Sequence, residues 1–334
     1  MFFRALLNAA NRGVRVRLLT NAFDDVRECR DGVSMLTYFS QVPRIEVKTY
    51  ATTTFQHAKV LVVDDCVAVS SVNWSKSSFI ENREAGILMC GSAGVVEYAT
   101  TVFDFDWHLG RSWMPPNALS RSDIALMRNA SYLAPFALPK HNITEPHYVP
   151  RLVSIGVRGD AVSLNVAPDT ASTALYDELS HTHETLDVYT YQITDDVFAR
   201  FLITLSERVA IRVALSRAIF MDEDRRASTI VVEQIRAESK GRIEFFTSPH
   251  FYRYAHLKIW IRDRDTVGLS TGNFSPSDIP SPIHPFPPFG DPAWRAINRD
   301  FNVVVRDRTF ANEFQRLFDG DREHFERYRA PSKF

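Results

Sequence analysis

Two stretches of this chain share one layout, and the surroundings of each repeat as well. FQHAKVLVVDD (Phe55 to Asp65) places His57 and Lys59 two residues apart, ahead of a branched apolar run. YAHLKIWIRDRD (Tyr254 to Asp265) does the same with His256 and Lys258. Apolar runs of this length read as buried strands. Before them, NRGVRVRLL (from Asn11) matches RVAIRVALS (from Arg208), in a register that pairs Val14 with Ile211, Val16 with Val213 and Leu18 with Leu215. RIEVKTY (from Arg44) matches RIEFFTS (from Arg242). After them, VAVSSVNWS (from Val67) matches VGLSTGNFS (from Val267), and NREAGILM (from Asn82) matches NRDFNVVV (from Asn298). Each half closes on a helical stretch carrying FDFD (Phe103 to Asp106) or FDGD (Phe318 to Asp321). Matches kept in one order restrict the chain to a single unit used twice. Strands alternating with helical segments make that unit α/β.

The repeat divides the chain into a first copy at 1–113, a proline-rich connection at 114–150 and a second copy at 151–334. A short helix is expected in the connection near Ser122 to Asn129. The copies are unequal. In the register above, Met1 pairs with Phe198, so Leu152 to Val197 has no partner in the first copy. That stretch reads as two strands flanking a helix near Thr173 to Thr182. Losing central strands would expose pairing edges and core. The expectation is therefore a first copy truncated at its N-terminus because the sequence begins inside a longer gene product.

The histidine and lysine of each motif face one side of their strand, because side chains alternate. A pseudo-twofold arrangement of the copies would bring two imidazoles and two ammonium groups into one cleft. Asn73 and Asn273 end the next strand, and Ser70, Ser71, Ser270 and Thr271 stand just before them. Amides, hydroxyls and cations of this kind suit an anion with several oxygens, such as a phosphodiester. One histidine can attack phosphorus while the other protonates the leaving oxygen. Lysines and asparagines can stabilise the developing charge. Glu84 and Asp300 follow Asn-Arg in matching positions, and each is expected to orient the histidine of its own half. Asp64 and Asp263 lie about 13 Å further along the strand and read as structural.

The pattern His-x-Lys, four residues, Asp, then a small hydroxyl pair and Asn is similar to the HKD motif of the phospholipase D superfamily. The second copy (His256, Lys258, Asp263, Ser270, Thr271, Asn273) has the usual spacing; the first (His57, Lys59, Asp64, Ser70, Ser71, Asn73) is one residue shorter before its serines. The resemblance implies two repeated α/β/α sandwich domains, each a mixed sheet flanked by helices, and a two-step mechanism through a phosphohistidine with no metal or other cofactor. In the family the first-copy histidine is commonly the nucleophile, which here is His57.

The superfamily acts on phospholipids, nucleic acids and protein–DNA adducts. Lysine plus arginine number 39 against 40 acidic residues, for a net charge of -1. That balance is unlike a protein gripping nucleic acid by phosphate neutralisation. Between Asn273 and Asn298 the second copy carries a proline-rich insertion with Ile283, Phe286, Phe289 and Trp294. Large apolar groups there suit a lipid interface, cap the domain's own core, or stack bases. A phospholipid at a membrane interface is the favoured substrate. A single-strand nuclease is the alternative, and a catalytically impaired anion-binding remnant comes third. No obligate protein partner is inferred. Trp74, Phe274 and Trp107 read as packing residues. Cys29, Cys66 and Cys90 are odd in number and lack metal-type spacing, so neither a disulfide framework nor a zinc site is expected, and Cys66 reads as incidental. The chain contains no clear signal peptide and no transmembrane stretch, and the compartment stays open.

Overall fold

The computed structural model describes residues 2–21, 30–50, 55–114, 153–280 and 296–328. In chain order the strands are β1 (Val16–Asn21), β2 (Ile45–Tyr50), β3 (Phe55–Gln56), β4 (Val60–Val63), β5 (Cys66–Ser70), β6 (Gly86–Cys90) and β7 (Gly110–Ser112). They continue as β8 (Val162–Ala167), β9 (Thr185–Thr190), β10 (Ala210–Leu215), β11 (Ile243–Thr247), β12 (Ile259–Arg262), β13 (Thr266–Ser270) and β14 (Asn298–Arg306). The described residues form two compact units. One takes those up to Gln56 and from Thr101 to 114; the other takes His57–Thr100 and those from 153 onward.

In the first unit β1 and β2 run parallel with Val16 opposite Ile45, and β7 pairs antiparallel with β2. Leu6, Leu7 and Ala10 recur at helical spacing, which puts them on one face of the helix Phe2–Asn11. They pack with Leu36 and Phe39 of the helix Arg30–Phe39 over Ile45 and Val47. Trp107 is buried and stacks on Phe103, while Lys48 Nζ donates to the Trp107 carbonyl at 2.9 Å. The packing role read for Trp107 holds.

The second unit is built on a mixed sheet in the order β11-β10-β9-β12-β13-β14, with β8 joined to β14. β9, β10 and β11 are parallel, and β12 to β14 antiparallel. The helix Asp196–Leu205 starts on Asp195, whose side chain accepts from Phe198 N at 2.6 Å. Its Phe198 stacks on Phe274 at 4.3 Å, inside a core that includes Val188, Leu202, Ile211, Val213 and Trp260. Phe274 is thus a packing residue as read, whereas Trp74 is 38% exposed. Gly268 faces Trp260 across β12 and β13; a Cβ there would stand 2.1 Å from the indole ring, so only glycine lets the ring lie flat on the sheet.

The repeat is visible in this topology. β1 and β2 correspond to β10 and β11, and β4-β5-β6 to β12-β13-β14. Ile45 and Ile243 occupy matching positions, and their parallel partners are Val16 and Ile211. The structure therefore equates Val16, not Val14, with Ile211. The register read from sequence is two residues out, and a two-residue slip leaves every side chain on its own face. β9 pairs with β10 on one side and β12 on the other. Its sequence lies in the stretch with no first-copy counterpart. Among the described residues β1-β2-β7 and β4-β5-β6 accordingly form two separate three-stranded sheets, and β4-β5-β6 falls in the second unit.

One expectation is overturned. Cys66 and Cys90 form a disulfide, their Cα atoms 4.1 Å apart. They are directly opposed partners in β5 and β6, a pairing that only the strand register reveals. The bridge closes a separation of 24 residues, for which chain-entropy arguments give about 3 kcal/mol. Cys66→Ala with Cys90→Ala is expected to lower stability by ~2–4 kcal/mol in denaturant titration, with the midpoint of the wild type falling to the same value under reductant. An unchanged midpoint would show that the bridge contributes nothing. The expected helix near Ser122 to Asn129 and the residues Ile283, Phe286, Phe289 and Trp294 lie outside the described residues. Among the described residues no helix is long and apolar enough to cross a membrane.

Candidate active site

Both His-x-Lys segments belong to the second unit, just before β4 and β12. Their backbones are tied to each other's half. His57 N donates to Arg299 O at 3.0 Å, and His256 N donates to Arg83 O at 2.7 Å. Each arginine is held in place: Arg83 by a buried bidentate pair with Asp321, Arg299 by Asp169 at 2.8 Å. The residue after each arginine is the matched carboxylate, so it arrives beside the other copy's histidine.

His57 Nδ1 lies 3.1 Å from Asp300 Oδ1, and His256 Nδ1 lies 3.3 Å from Glu84 Oε2. The expectation that each carboxylate serves its own half is corrected: the pairing is crossed. Matched hydroxyls fix the carboxylates. Ser71 Oγ donates to Glu84 Oε2 at 2.6 Å, and Thr271 Oγ1 donates to Asp300 Oδ1 at 2.6 Å. Ser70 and Ser270 do turn work instead, accepting from Val72 N at 3.0 Å and Gly272 N at 2.9 Å.

Lys59 and Lys258 are buried. Lys59 Nζ donates to the carbonyls of His57 and Thr271. Lys258 Nζ donates to the His256 carbonyl at 2.7 Å and sits 2.9 Å from His256 Nε2. Burial brings the Lys59 pKa down to about 8 against the pull of Asp300, Asp278 and Glu84. Burial and the neighbouring Lys59 charge hold Lys258 well below the ordinary lysine range.

The amides behave differently from expectation. Asn73 is exposed. Asn273 lines a small pocket with Trp260, Ser270 and Phe274, and its Oδ1 is buried with no hydrogen-bond partner among the described residues. Asn273 Oδ1 is thus not hydrogen-bonded to the imidazole–carboxylate cluster. The motif aspartates are also distinct from it. Asp263 accepts from the backbone N–H groups of His183, Glu184 and Thr185 at 2.9, 2.8 and 3.0 Å, anchoring the entry to β9. Asp64 is exposed at the corresponding turn, and the stretch that supplies Asp263's donors has no first-copy equivalent.

One site residue escaped the sequence reading. Asp278 Oδ1 lies 3.4 Å from His57 Nδ1. It follows Asn273 by five residues, where the first copy has Ser78, and a carboxylate replacing a hydroxyl at a repeat position was the available signal. His57, Asp278 and Asp300 each bring one potential ligand atom within 4.8 Å of the others. Both carboxylates face the same imidazole nitrogen, so we read the trio as a clamp on a ring N–H and not as a cation site. The two rings consequently differ. Burial and the Lys59 charge oppose a charge on His57, but the Asp300 charge and the hydrogen bonds that the ring donates to Asp278 and Asp300 outweigh them, and its pKa is raised. Burial and the Lys258 charge outweigh Glu84 at His256, whose pKa falls to about 4.

Residues 1–107 match the family model described as cardiolipin synthase, PLD-like domain. Phosphatidylserine synthase of Haemophilus influenzae Rd KW20 has the same fold, with a TM-score of 0.59 and 13% identity over 96% of this chain and 76% of that one. Polyphosphate kinase of Porphyromonas gingivalis superposes with a TM-score of 0.52 and 14% identity, over 95% of this chain and 42% of its own. Nuc of Salmonella typhimurium, a phospholipase D family member, matches 49% of this chain and 94% of its own at 17% identity, with a TM-score of 0.39. No curated protein matches the chain.

Proposed function

We propose that this chain, whose residues 1–107 match a PLD-like domain model and whose fold is that of phosphatidylserine synthase, is a phosphodiesterase of the phospholipase D type that hydrolyses or transfers a phosphodiester through a phosphohistidine. The observation that carries this reading is the crossed pairing. Two histidines, one from each motif, are each aimed by a carboxylate from the other motif, with a buried lysine beside each. A carboxylate on Nδ1 fixes the ring so that Nε2 is the reacting nitrogen.

In the first step one imidazole Nε2 forms a bond to phosphorus as the bond to the leaving oxygen breaks, and the second imidazolium delivers its proton to that oxygen. In the next step the second imidazole takes a proton from water or an alcohol, whose oxygen displaces the histidine. Lys59 and Lys258 supply positive charge near the phosphoryl oxygens.

A phospholipid is the favoured substrate. The matching family model is described as a cardiolipin synthase, PLD-like domain, and the net charge of -1 is unlike the strongly basic balance of a protein that grips nucleic acid by phosphate neutralisation. The test presents the purified chain, with EDTA, to phosphatidylcholine or phosphatidylglycerol vesicles, a single-stranded oligonucleotide and bis(4-nitrophenyl) phosphate. Turnover of the vesicles, undiminished by chelator, is the expected result. Turnover of the oligonucleotide alone would move the assignment to nuclease. Loss on chelation with recovery on adding a divalent ion would refute the metal-independent steps, and silence on all three substrates would favour the anion-binding remnant.

A further inference from the structure

The two motif halves share matched supports, and one matched position carries a different group. Asn82 Nδ2 donates to Ser78 Oγ, and Asn298 Nδ2 donates to Asp278 Oδ1. Ser75 Oγ contacts Ser78 Oγ at 3.2 Å, and Ser275 Oγ donates to Asp278 Oδ2 at 2.7 Å. Asp278 therefore occupies the repeat position of Ser78, between the matched asparagine and serine. The backbone makes room for it. Gly272 replaces Val72, and a Cβ at 272 would lie 2.6 Å from Asp300 Oδ2 and 2.8 Å from Asp278 Cβ. With the Asn273 N–H also donating to Asp278 Oδ2 at 2.8 Å, the carboxylate is fixed and 3.4 Å from His57 Nδ1.

The surroundings of the rings are thus unequal. Around His57 stand two carboxylates, Asp278 and Asp300, with the Lys59 ammonium opposing them and the nearby Arg299 neutralised by Asp169. Around His256 stand one carboxylate, Glu84, and the cations Lys258 and Lys59, with the Tyr191 ring packed edge-on at 5.2 Å. Lys258 Nζ lies 2.9 Å from His256 Nε2 and 3.1 Å from its Nδ1. Two positive charges cannot share those distances in a buried site. A proton on His256 Nδ1, directed at Ser71 O at 3.0 Å and Glu84, leaves the Nε2 lone pair unprotonated.

Resting on the phosphodiesterase reading, we propose that Asp278 is a positioning residue that keeps His57 as the imidazolium acid, so that His256 is the nucleophile. The P–N bond then forms at His256 Nε2, and the proton lost to the leaving oxygen comes from His57 Nε2. This reverses the assignment that the superfamily resemblance implies. The raised pKa of His57 and the depressed one of His256 agree with the geometry.

The full chain, labelled with nitrogen-15 at histidine, tests this by following the ring nitrogens with pH; His57→Gln and His256→Gln assign the signals. The expected order is His57 titrating above His256, with His256 neutral and protonated at Nδ1 at pH 7. Asp278→Ser, which installs the first-copy residue, should move the His57 transition downward and leave that of His256 in place. Asp278→Asn repeats the measurement should the serine variant fail to fold. A denaturing alkaline quench of the reaction with bis(4-nitrophenyl) phosphate, which spares the acid-labile P–N bond, should yield a phosphorylated peptide containing His256. Titration in the opposite order, a phosphopeptide containing His57, or an Asp278 variant that leaves the His57 transition unmoved would each overturn the proposal. A wild type that turns over no phosphodiester would sink the functional reading, while the titration order would still decide the protonation states.

Discussion

His57→Ala and His256→Ala are each expected to lower turnover of an unactivated phosphodiester by ~10³-fold or more, and the double variant to be little worse than the weaker single one. Both groups act on one reaction path, so their losses do not add. The substrates separate their roles. With 4-nitrophenolate as the leaving group the need for an acid in the first step is small, so His57→Ala should recover a stoichiometric burst of 4-nitrophenolate while its turnover stays limited by the second step, where His57 is the base. His256→Ala should recover none, because the missing group forms the bond to phosphorus. Equal recovery of both variants, or near-normal rates in either on the unactivated substrate, would show that the two histidines do not divide the chemistry in this way.

The fold should survive these changes, and a stability measurement can show it. His256 is depressed to about 4 in the folded chain by burial and by Lys258, against about 6.5 for free imidazole. Between those values the unfolded chain binds a proton that the folded chain refuses, so this ring costs stability as pH falls from about 6.5 toward 4. The difference corresponds to ~3 kcal/mol at the acid end. His256→Ala should remove that part of the acid sensitivity. His57 acts in the opposite sense: its raised pKa gives stability that is present at low pH and lost as pH rises through its folded value. A reduced slope between pH 4 and 6.5 in His256→Ala, together with loss in His57→Ala of the decline in stability that the wild type shows above about 6.5, is the paired outcome that checks both signs.

The residues that a strand pattern can place were legible in the sequence. His57, Lys59, His256 and Lys258 need only alternation along a strand and a repeat to be grouped, and the structure puts all four in one unit. What was not legible depends on which strand lies beside which. Glu84 and Asp300 were found as carboxylates, but their partners were assigned within each copy. The crossing depends on Arg83 O and Arg299 O accepting from the other copy's histidine N–H, a long-range register that no local pattern carries. Cys66 and Cys90 face each other for the same reason. Asp278 differs again. It was hidden in a segment read for its prolines and aromatics, although its alignment with Ser78 was in plain view. The two-residue slip between Val14 and Val16 was invisible because a period-2 pattern looks the same after it.

Asp300→Asn and Asp263→Asn should part company when rate and stability are measured on the same samples. Asp300 is buried, holds His57 Nδ1 at 3.1 Å and accepts from Thr271 Oγ1. An amide there cannot stabilise an imidazolium as a carboxylate does, and it can present its own N–H to the ring and select the other tautomer. The expected result is a loss of ~10²-fold or more in turnover, with the far-ultraviolet spectrum unchanged and the alkaline limb of the pH–rate profile moved downward. Asp263 has no such contact. Its carboxylate accepts from three consecutive N–H groups at the entry to β9, the strand that joins β10 to β12. Those bonds outweigh partial burial and hold its pKa below the usual range. Its stabilisation is therefore present above the unfolded carboxylate value and is lost as pH falls through the folded one. Asp263→Asn weakens charge-assisted bonds that contribute ~1.5–3 kcal/mol each at most, so the melting temperature should drop while the rate per folded molecule stays within a few-fold. A rate loss in Asp263→Asn at unchanged melting temperature, together with a purely thermal defect in Asp300→Asn, would mean that the two aspartates have exchanged these roles.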